Sequence, residues 1–205
     1  MASEGGAKMV ARIDAKQYTL EEYLELDRNS EERLEYWHGE IFCMSGVGRN
    51  HARIEVNLTT RLNLLMAGRG CEVFPANMRI KVPSMLPYRY GDLSALCGDA
   101  QFEEIDGVDA LTIPSLIVEV LSESTEAYDR GEKFTHYKSI SSFKEYLLVA
   151  QHRPHITHLV KQPDGSWIYN EYNDLAAVVK LTSLNCELNM SEIYENISFD
   201  SKKAE

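Results

Sequence analysis

Two carboxylates sit where the surrounding sequence is apolar, and a lysine follows on a face of its own. Glu119 lies within Ile113-Pro114-Ser115-Leu116-Ile117-Val118-Glu119-Val120-Leu121, a β-branched run with Pro114 at its entry. Period-2 alternation puts Glu119 on the face of Ile117 and Leu121, and Leu116, Val118 and Val120 on the other. Both faces are apolar, as in a strand covered on both sides. A carboxylate there must be paired, hydrogen-bonded or bound to a cation. Asp92 is the lone acid of the preceding strand-like segment, Tyr88-Arg89-Tyr90-Gly91-Asp92-Leu93-Ser94-Ala95-Leu96. Two acids on neighbouring core strands can converge on a hard divalent cation such as Mg²⁺ or Mn²⁺. Downstream, Asp129, Lys133 and Tyr137 recur at i, i+4 and i+8 on one helical face. A lysine beside such a centre can stabilise charge developing on a phosphate. The same spacing also describes an ordinary solvated Asp129–Lys133 pair, worth a few tenths of a kcal/mol. Glu119 is equally readable as a member of a buried structural ion pair.

These residues need elements to hold them. Thr19 followed by Glu22 is a capping-box pattern opening a helix that carries Leu20, Tyr23, Leu24 and Asp27 on its face. Arg33 to Ser45 reads as a hairpin turning at His38-Gly39. A long helix runs from about Asn50 to Met66, with Ile54, Leu58, Leu62 and Leu65 on one stripe and Gly68 and Gly70 as its stop. Strands follow near Cys71–Val82, Tyr88–Cys97 and Leu116–Leu121. Ser124 or Thr125 caps a helix to about Ile140, within which Gly131 suggests a close approach to the acid-bearing strands. Glu145–Ala150 is a short strand. His155–Lys161 and Trp167–Tyr172 pair around Pro163-Asp164-Gly165. This order predicts a mixed α/β domain, an α+β sheet flanked by helices. The domain spans residues 17–197, between loose tails at 1–16 and 198–205.

Several motifs together resemble the Uma2 family, also called DUF820. They are Arg33-Leu34-Glu35-Tyr36-Trp37-His38-Gly39-Glu40, His51 opening the long helix, and Tyr90-Gly91-Asp92-Leu93-Ser94. Val118-Glu119-Val120-Leu121-Ser122-Glu123-Ser124-Thr125, Tyr128-Asp129-Arg130-Gly131-Glu132-Lys133-Phe134 and Glu145-Tyr146-Leu147-Leu148-Val149 complete the set. The resemblance covers nearly all of the chain after Lys16. It implies the restriction-endonuclease-like PD-(D/E)XK fold and a metal-dependent endonuclease hydrolysing DNA phosphodiester bonds. It further implies Asp92 and Glu119 as metal ligands, Glu35 as another active-site acid, and Lys133 as the lysine moved onto the following helix. His51, Asp129 and Tyr137 are supporting residues in this reading, and a homodimer is expected. The chain departs from the family pattern in three places. Gly91 stands where a proline usually precedes the first acid, Leu121 occupies the position two after Glu119, and Glu123 replaces a proline of the following turn. A nuclease-fold protein that binds or regulates without cleaving is the alternative. A carboxylate-pair glycosidase has less support, since nothing suggests a sugar platform.

Composition bounds the rest. With 205 residues, 44% of them hydrophobic, a single domain has a sizeable core. The net charge of −11 argues against a general polyanion binder, although clustered acids at a metal site add to that count. The start of the chain lacks an apolar signal-peptide core, and no stretch reaches the roughly 18 apolar residues of a membrane span. Cys43, Cys71, Cys97 and Cys186 form no C-x-x-C pair. A zinc site or disulfide framework is therefore not expected, and a reducing cytoplasm suits them. Gly46-Val47-Gly48 lacks the lysine of a phosphate loop. His152, His155 and His158 read as a solvated turn and strand rather than a metal set. Trp37, Tyr88 and Tyr90 could stack on bases, though aromatics in strands are usually core.

Overall fold

The computed structural model describes residues 11–12, 16–43 and 46–199, with backbone alone for Ala11 and Arg12. Most of the two expected tails, and Ser45 of the first hairpin, lie outside the described residues. Within the N-terminal stretch read as a tail, Ala11–Arg12 (β1) form a strand. It pairs antiparallel with Glu40–Cys43 (β3), which pairs in turn with Leu34–Trp37 (β2). The β2–β3 turn falls at His38 and Gly39, with φ of 46° and 88°. The positive φ of Gly39 is what calls for glycine in this turn; the nearest atoms to a Cβ there belong to the movable end of the Gln17 side chain. Before it, Leu20–Arg28 (α1) carries both hydrogen bonds of the capping box between Thr19 and Glu22.

Arg49–Met66 (α2) is the long helix. Its buried stripe is His51, Ile54, Leu58, Leu62 and Met66; Leu65 points to solvent instead. An i+4 rhythm thus governs this face to its end. Then come Cys71–Pro75 (β4), Arg79–Ile80 (β5), Arg89–Tyr90 (β6) and Leu93–Cys97 (β7). Phe102–Ile105 (β8) and Val108–Leu111 (β9) make a hairpin that the sequence reading passed over. Its signal was the Asp106-Gly107 pair, both at positive φ. Leu116–Leu121 is β10.

The helix expected to reach Ile140 is shorter and irregular. Glu126–Tyr128 (α3) passes through a π-helical turn, Asp129–Lys133, into Phe134–Tyr137 (α4). Thr125 makes no side-chain capping bond. Glu145–Ala150 (β11), Ile156–Lys161 (β12) and Trp167–Tyr172 (β13) follow as read from sequence. Val178–Leu181 (β14), Cys186–Asn189 (β15) and Met190–Ile193 (α5) close the fold.

The central sheet has order β13-β12-β11-β10-β7-β4, mixed, with β10 parallel to β11 and antiparallel to β7. Its two faces are covered separately. α2, β14–β15 and α5 pack on Leu93, Leu116, Val118, Val120 and Leu147. The segment from α4 to Phe143, joined by Ile80 and Val82, packs on Ile117, Leu121, Tyr146 and Leu148. The alternation expected for β10 is therefore realised, and it directs Glu119 toward α4. Among the described residues, no helix is long and apolar enough to cross a membrane.

One expectation about the cysteines fails. Cys71 lies opposite Cys97 in the antiparallel β4–β7 register, and the two form a disulfide. Twenty-six residues separate them in sequence, so no local spacing signals a pairing that only the sheet creates.

Candidate active site

The strand ladder itself positions Asp92. β7 begins at Leu93, paired with Val118, so the strand stops one residue short of a partner for Glu119. The Asp92 N–H still donates to the Val118 carbonyl at 3.1 Å. Its Oδ2 accepts the Val120 N–H at 2.6 Å, supplying the acceptor that the interrupted ladder lacks. Gly91 opens this break. A Cβ there would stand 3.0 Å from Ile117 Cγ2 and 3.4 Å from Glu119 Oε1, so a larger residue would crowd the acid. Asp92 and Glu119 line one cleft, together with Glu35, His51, Asp129 and Lys133.

Glu119 is 2% exposed and fully engaged. Lys133 Nζ lies 2.9 Å from its Oε2, and the Tyr137 hydroxyl donates to its Oε1 at 3.0 Å. Asp129 Oδ1 is 3.5 Å from the same Nζ. The π-helical turn thus brings Asp129, Lys133 and Tyr137 onto the carboxylate, whereas Lys138 lies over the Phe134 ring. Burial pushes the Glu119 carboxyl well above the ordinary glutamate range; Lys133 opposes this, and the Asp92 and Asp129 charges add to it. Burial also works against the Lys133 charge. Glu119, then Asp129 and Glu35, outweigh burial and keep the lysine protonated. Asp92 is different: burial is offset by His51, Lys133 and the Val120 N–H, and its carboxyl titrates below the usual range. Glu35, on β2, is buried and accepts the Tyr90 N–H at 2.9 Å.

His51 sits in the first turn of α2. Its Nε2 lies 3.4 Å from Asp92 Oδ1 and 3.7 Å from Glu55 Oε1, yet makes a well-formed hydrogen bond to neither. Burial disfavours the imidazolium, but the two carboxylates win and raise its pKa to about 10. Donor atoms of His51, Glu55 and Asp92 all lie within 4.8 Å of one another. Glu55 is absent from the sequence reading, although its i+4 spacing from His51 was available there. The acids Glu35, Asp92, Glu119 and Asp129 of the cleft, with Glu55 beside His51, outnumber the cations Arg33, Lys133 and His51. A divalent ion fits that imbalance and this oxygen-rich donor set.

Most of the other candidates fall away. His158 Nε2 contacts Glu145 at 3.2 Å and His155 Nδ1 contacts Asn173 at 2.7 Å, so both histidines are structural. Tyr88 is fully buried and donates to Asp27, and the Trp37 ring packs 4.4 Å from that of Tyr128. Tyr88 therefore does not stand free to stack on a base, whereas Trp37 is part-exposed and lines the cleft.

The chain matches the family described as "Uma2: Putative restriction endonuclease" over residues 20–191. It is 33% identical over 179 residues to uncharacterized protein slr1290 of Synechocystis sp. (strain ATCC 27184 / PCC 6803 / Kazusa), covering 87% of this chain and 92% of that protein. Identity to uncharacterized protein sll1609 of the same strain is also 33%, over 163 residues, with 80% and 92% covered. A solved structure described as "a putative nuclease belonging to DUF820 from Anabaena variabilis ATCC 29413" shares the fold. Its TM-score is 0.69 at 17% identity, over 86% of this chain and 97% of that one.

Proposed function

The chain belongs to the Uma2 family and has a restriction-endonuclease-like fold, and we propose that it is a divalent-metal-dependent endonuclease acting on DNA. The observation that carries this reading is the meeting of Asp92, Glu119 and Lys133, from three separate elements, in one cleft. Asp92 and Glu119 would hold Mg²⁺ or Mn²⁺, with Glu35 as a further acid. The ion, when bound, supplies Lewis-acid polarisation of a phosphate oxygen and a more acidic water. Lys133, held by Glu119 and Asp129, presents a fixed positive charge to the phosphate as negative charge grows there. The Tyr137 hydroxyl orients the Glu119 carboxylate. His51 restrains Asp92 from the α2 side.

A DNA substrate implies action in the cytoplasm, and cutting both strands favours two sites paired in a homodimer. Light scattering at micromolar concentration checks the dimer, and a monomer rejects it. The activity is tested on plasmid, linear, branched and single-stranded DNA with Mg²⁺ and with Mn²⁺. Cleavage that disappears in Asp92→Asn is expected. Complexes with DNA that no metal converts to cleavage would instead assign the chain a binding role.

A further inference from the structure

We infer that His51 and Glu55 of α2 complete, with Asp92, a cation site that takes a first-row transition ion such as Mn²⁺ or Co²⁺ in preference to Mg²⁺. Three observations carry it. The His51 side chain is 8% exposed, and its Nε2 is buried without a hydrogen bond although it is aimed between two carboxylates. A buried ring nitrogen without a well-formed hydrogen bond is costly, and an ion between the three donors satisfies all of them at once, the imidazolium proton of His51 passing to solvent as the ion binds. The geometry is close to what an ion needs. Bonds of roughly 2.1 Å set donor separations of about 3.0–4.2 Å, against 3.4 and 3.7 Å from His51 Nε2 to its two partners. Helical spacing explains how two ligands come from one element, since positions i and i+4 share a face.

The donor types then choose the ion. Mg²⁺ favours carboxylates and water, whereas imidazole raises the affinity of later first-row ions. Glu119 differs from the α2 donors in having a close partner on each oxygen, Lys133 on Oε2 and Tyr137 on Oε1. Asp92 is thus shared between the lysine-bearing cluster and the α2 donors. The consequence for cleavage rests on the nuclease reading above; the site itself is tested without it.

The protein is titrated with Mn²⁺, followed by the loss of the free-ion electron paramagnetic resonance signal, and with Mg²⁺ and Co²⁺ by calorimetry. Mn²⁺ affinity at least tenfold above that for Mg²⁺ is expected. His51→Asn and Glu55→Gln should each weaken Mn²⁺ binding at least tenfold. Co²⁺ should give visible absorption that His51→Asn removes. Circular dichroism checks folding, and Glu55→Gln decides the matter if His51→Asn does not fold. Mn²⁺ affinity untouched by Glu55→Gln, or a preference for Mg²⁺, would overturn the site. DNA cleavage is scored separately: Mn²⁺ bound through His51 and Glu55 without cleavage supports the site and sinks the nuclease reading. Mg²⁺-dependent cleavage with binding indifferent to both substitutions does the reverse.

Discussion

Lys133 carries the sharpest test at the level of single residues. It is 3% exposed and lies between Glu119 and Asp129, so its removal deletes the only cation paired with either acid among the described residues. Breaking a buried pair usually costs about 3–5 kcal/mol because a charge is left alone. Here the Glu119 carboxyl is already pushed upward by burial and can take a proton. Lys133→Ala is therefore expected to fold, to lose no more than about 3 kcal/mol and to keep metal binding. Its metal-dependent cleavage should fall at least ~100-fold. Lys138→Ala should cut normally, since Lys138 sits over Phe134 and away from the acids. Full activity in Lys133→Ala would remove the lysine from the chemistry. The convergence of these residues was legible in the sequence because period 2 fixed the face of Glu119, and i, i+4, i+8 fixed that of Lys133. Glu55 was not, because a glutamate four residues from a histidine is an ordinary helical pair until Asp92 arrives from a different strand.

At the scale of elements, the segment after β10 departs most from expectation. A continuous helix was the natural reading of residues 124–140, but the π-helical turn inserts itself where Asp129 and Lys133 face the acids. Such turns are rare and occur often at functional sites, and here the turn carries Lys133 onto Glu119, a contact between distant segments that a local pattern does not encode. The close approach that Gly131 suggested is also absent: nothing lies within 4 Å of a Cβ built there, and its φ is not positive. Gly131→Ala should accordingly raise the stability by about 0.5–1 kcal/mol. A lowered melting temperature would show that the turn needs glycine's freedom after all. The strand β11 offers a second test. Glu145 at its start is fully buried; burial resists its charge, but His158 and the Ser183 hydroxyl and N–H hold its pKa down at about 2 from 4.5. Thr182 adds two more hydrogen bonds, tying β11 to the turn after β14. A depressed carboxylate stabilises the fold above its unfolded pKa and loses that contribution as pH falls through the folded one. Glu145→Gln should cost on the order of 3 kcal/mol at pH 7. The gap to the wild type should narrow from about pH 4.5 and close near pH 2. Urea melts giving the same gap at pH 7 and pH 3 would remove the electrostatic explanation.

For the molecule as a whole, element type was legible where apolar periodicity ran long, as in α2, β10, β11 and the β12–β13 hairpin. Pairing between distant strands was not, since β4–β7 and β7–β10 contacts depend on register that no local stretch carries. The disulfide is the clearest product of that register. It closes a segment of 26 residues between Cys71 and Cys97, and such a cross-link is worth about 3 kcal/mol through the unfolded state. It also stands at the edge strand of the central sheet and at the far end of β7 from Asp92, five residues or roughly 16 Å along the strand. The bond should therefore matter to stability and not to chemistry. A reducing compartment would hold both thiols open, so the prediction can be checked on one preparation in two redox states. Alkylation and mass spectrometry should find Cys71 and Cys97 joined in oxidised protein and Cys43 and Cys186 outside any disulfide. Reduction, or the double change Cys71→Ser and Cys97→Ser, should lower the melting temperature by roughly 6–12 °C. Metal-dependent cleavage measured well below that transition should be the same in both states. A reduced protein that melts unchanged would mean that β4 is held by its ladder and by α2 alone. A reduced protein that melts lower and also loses cleavage would mean that the edge of the sheet communicates with Asp92 along β7.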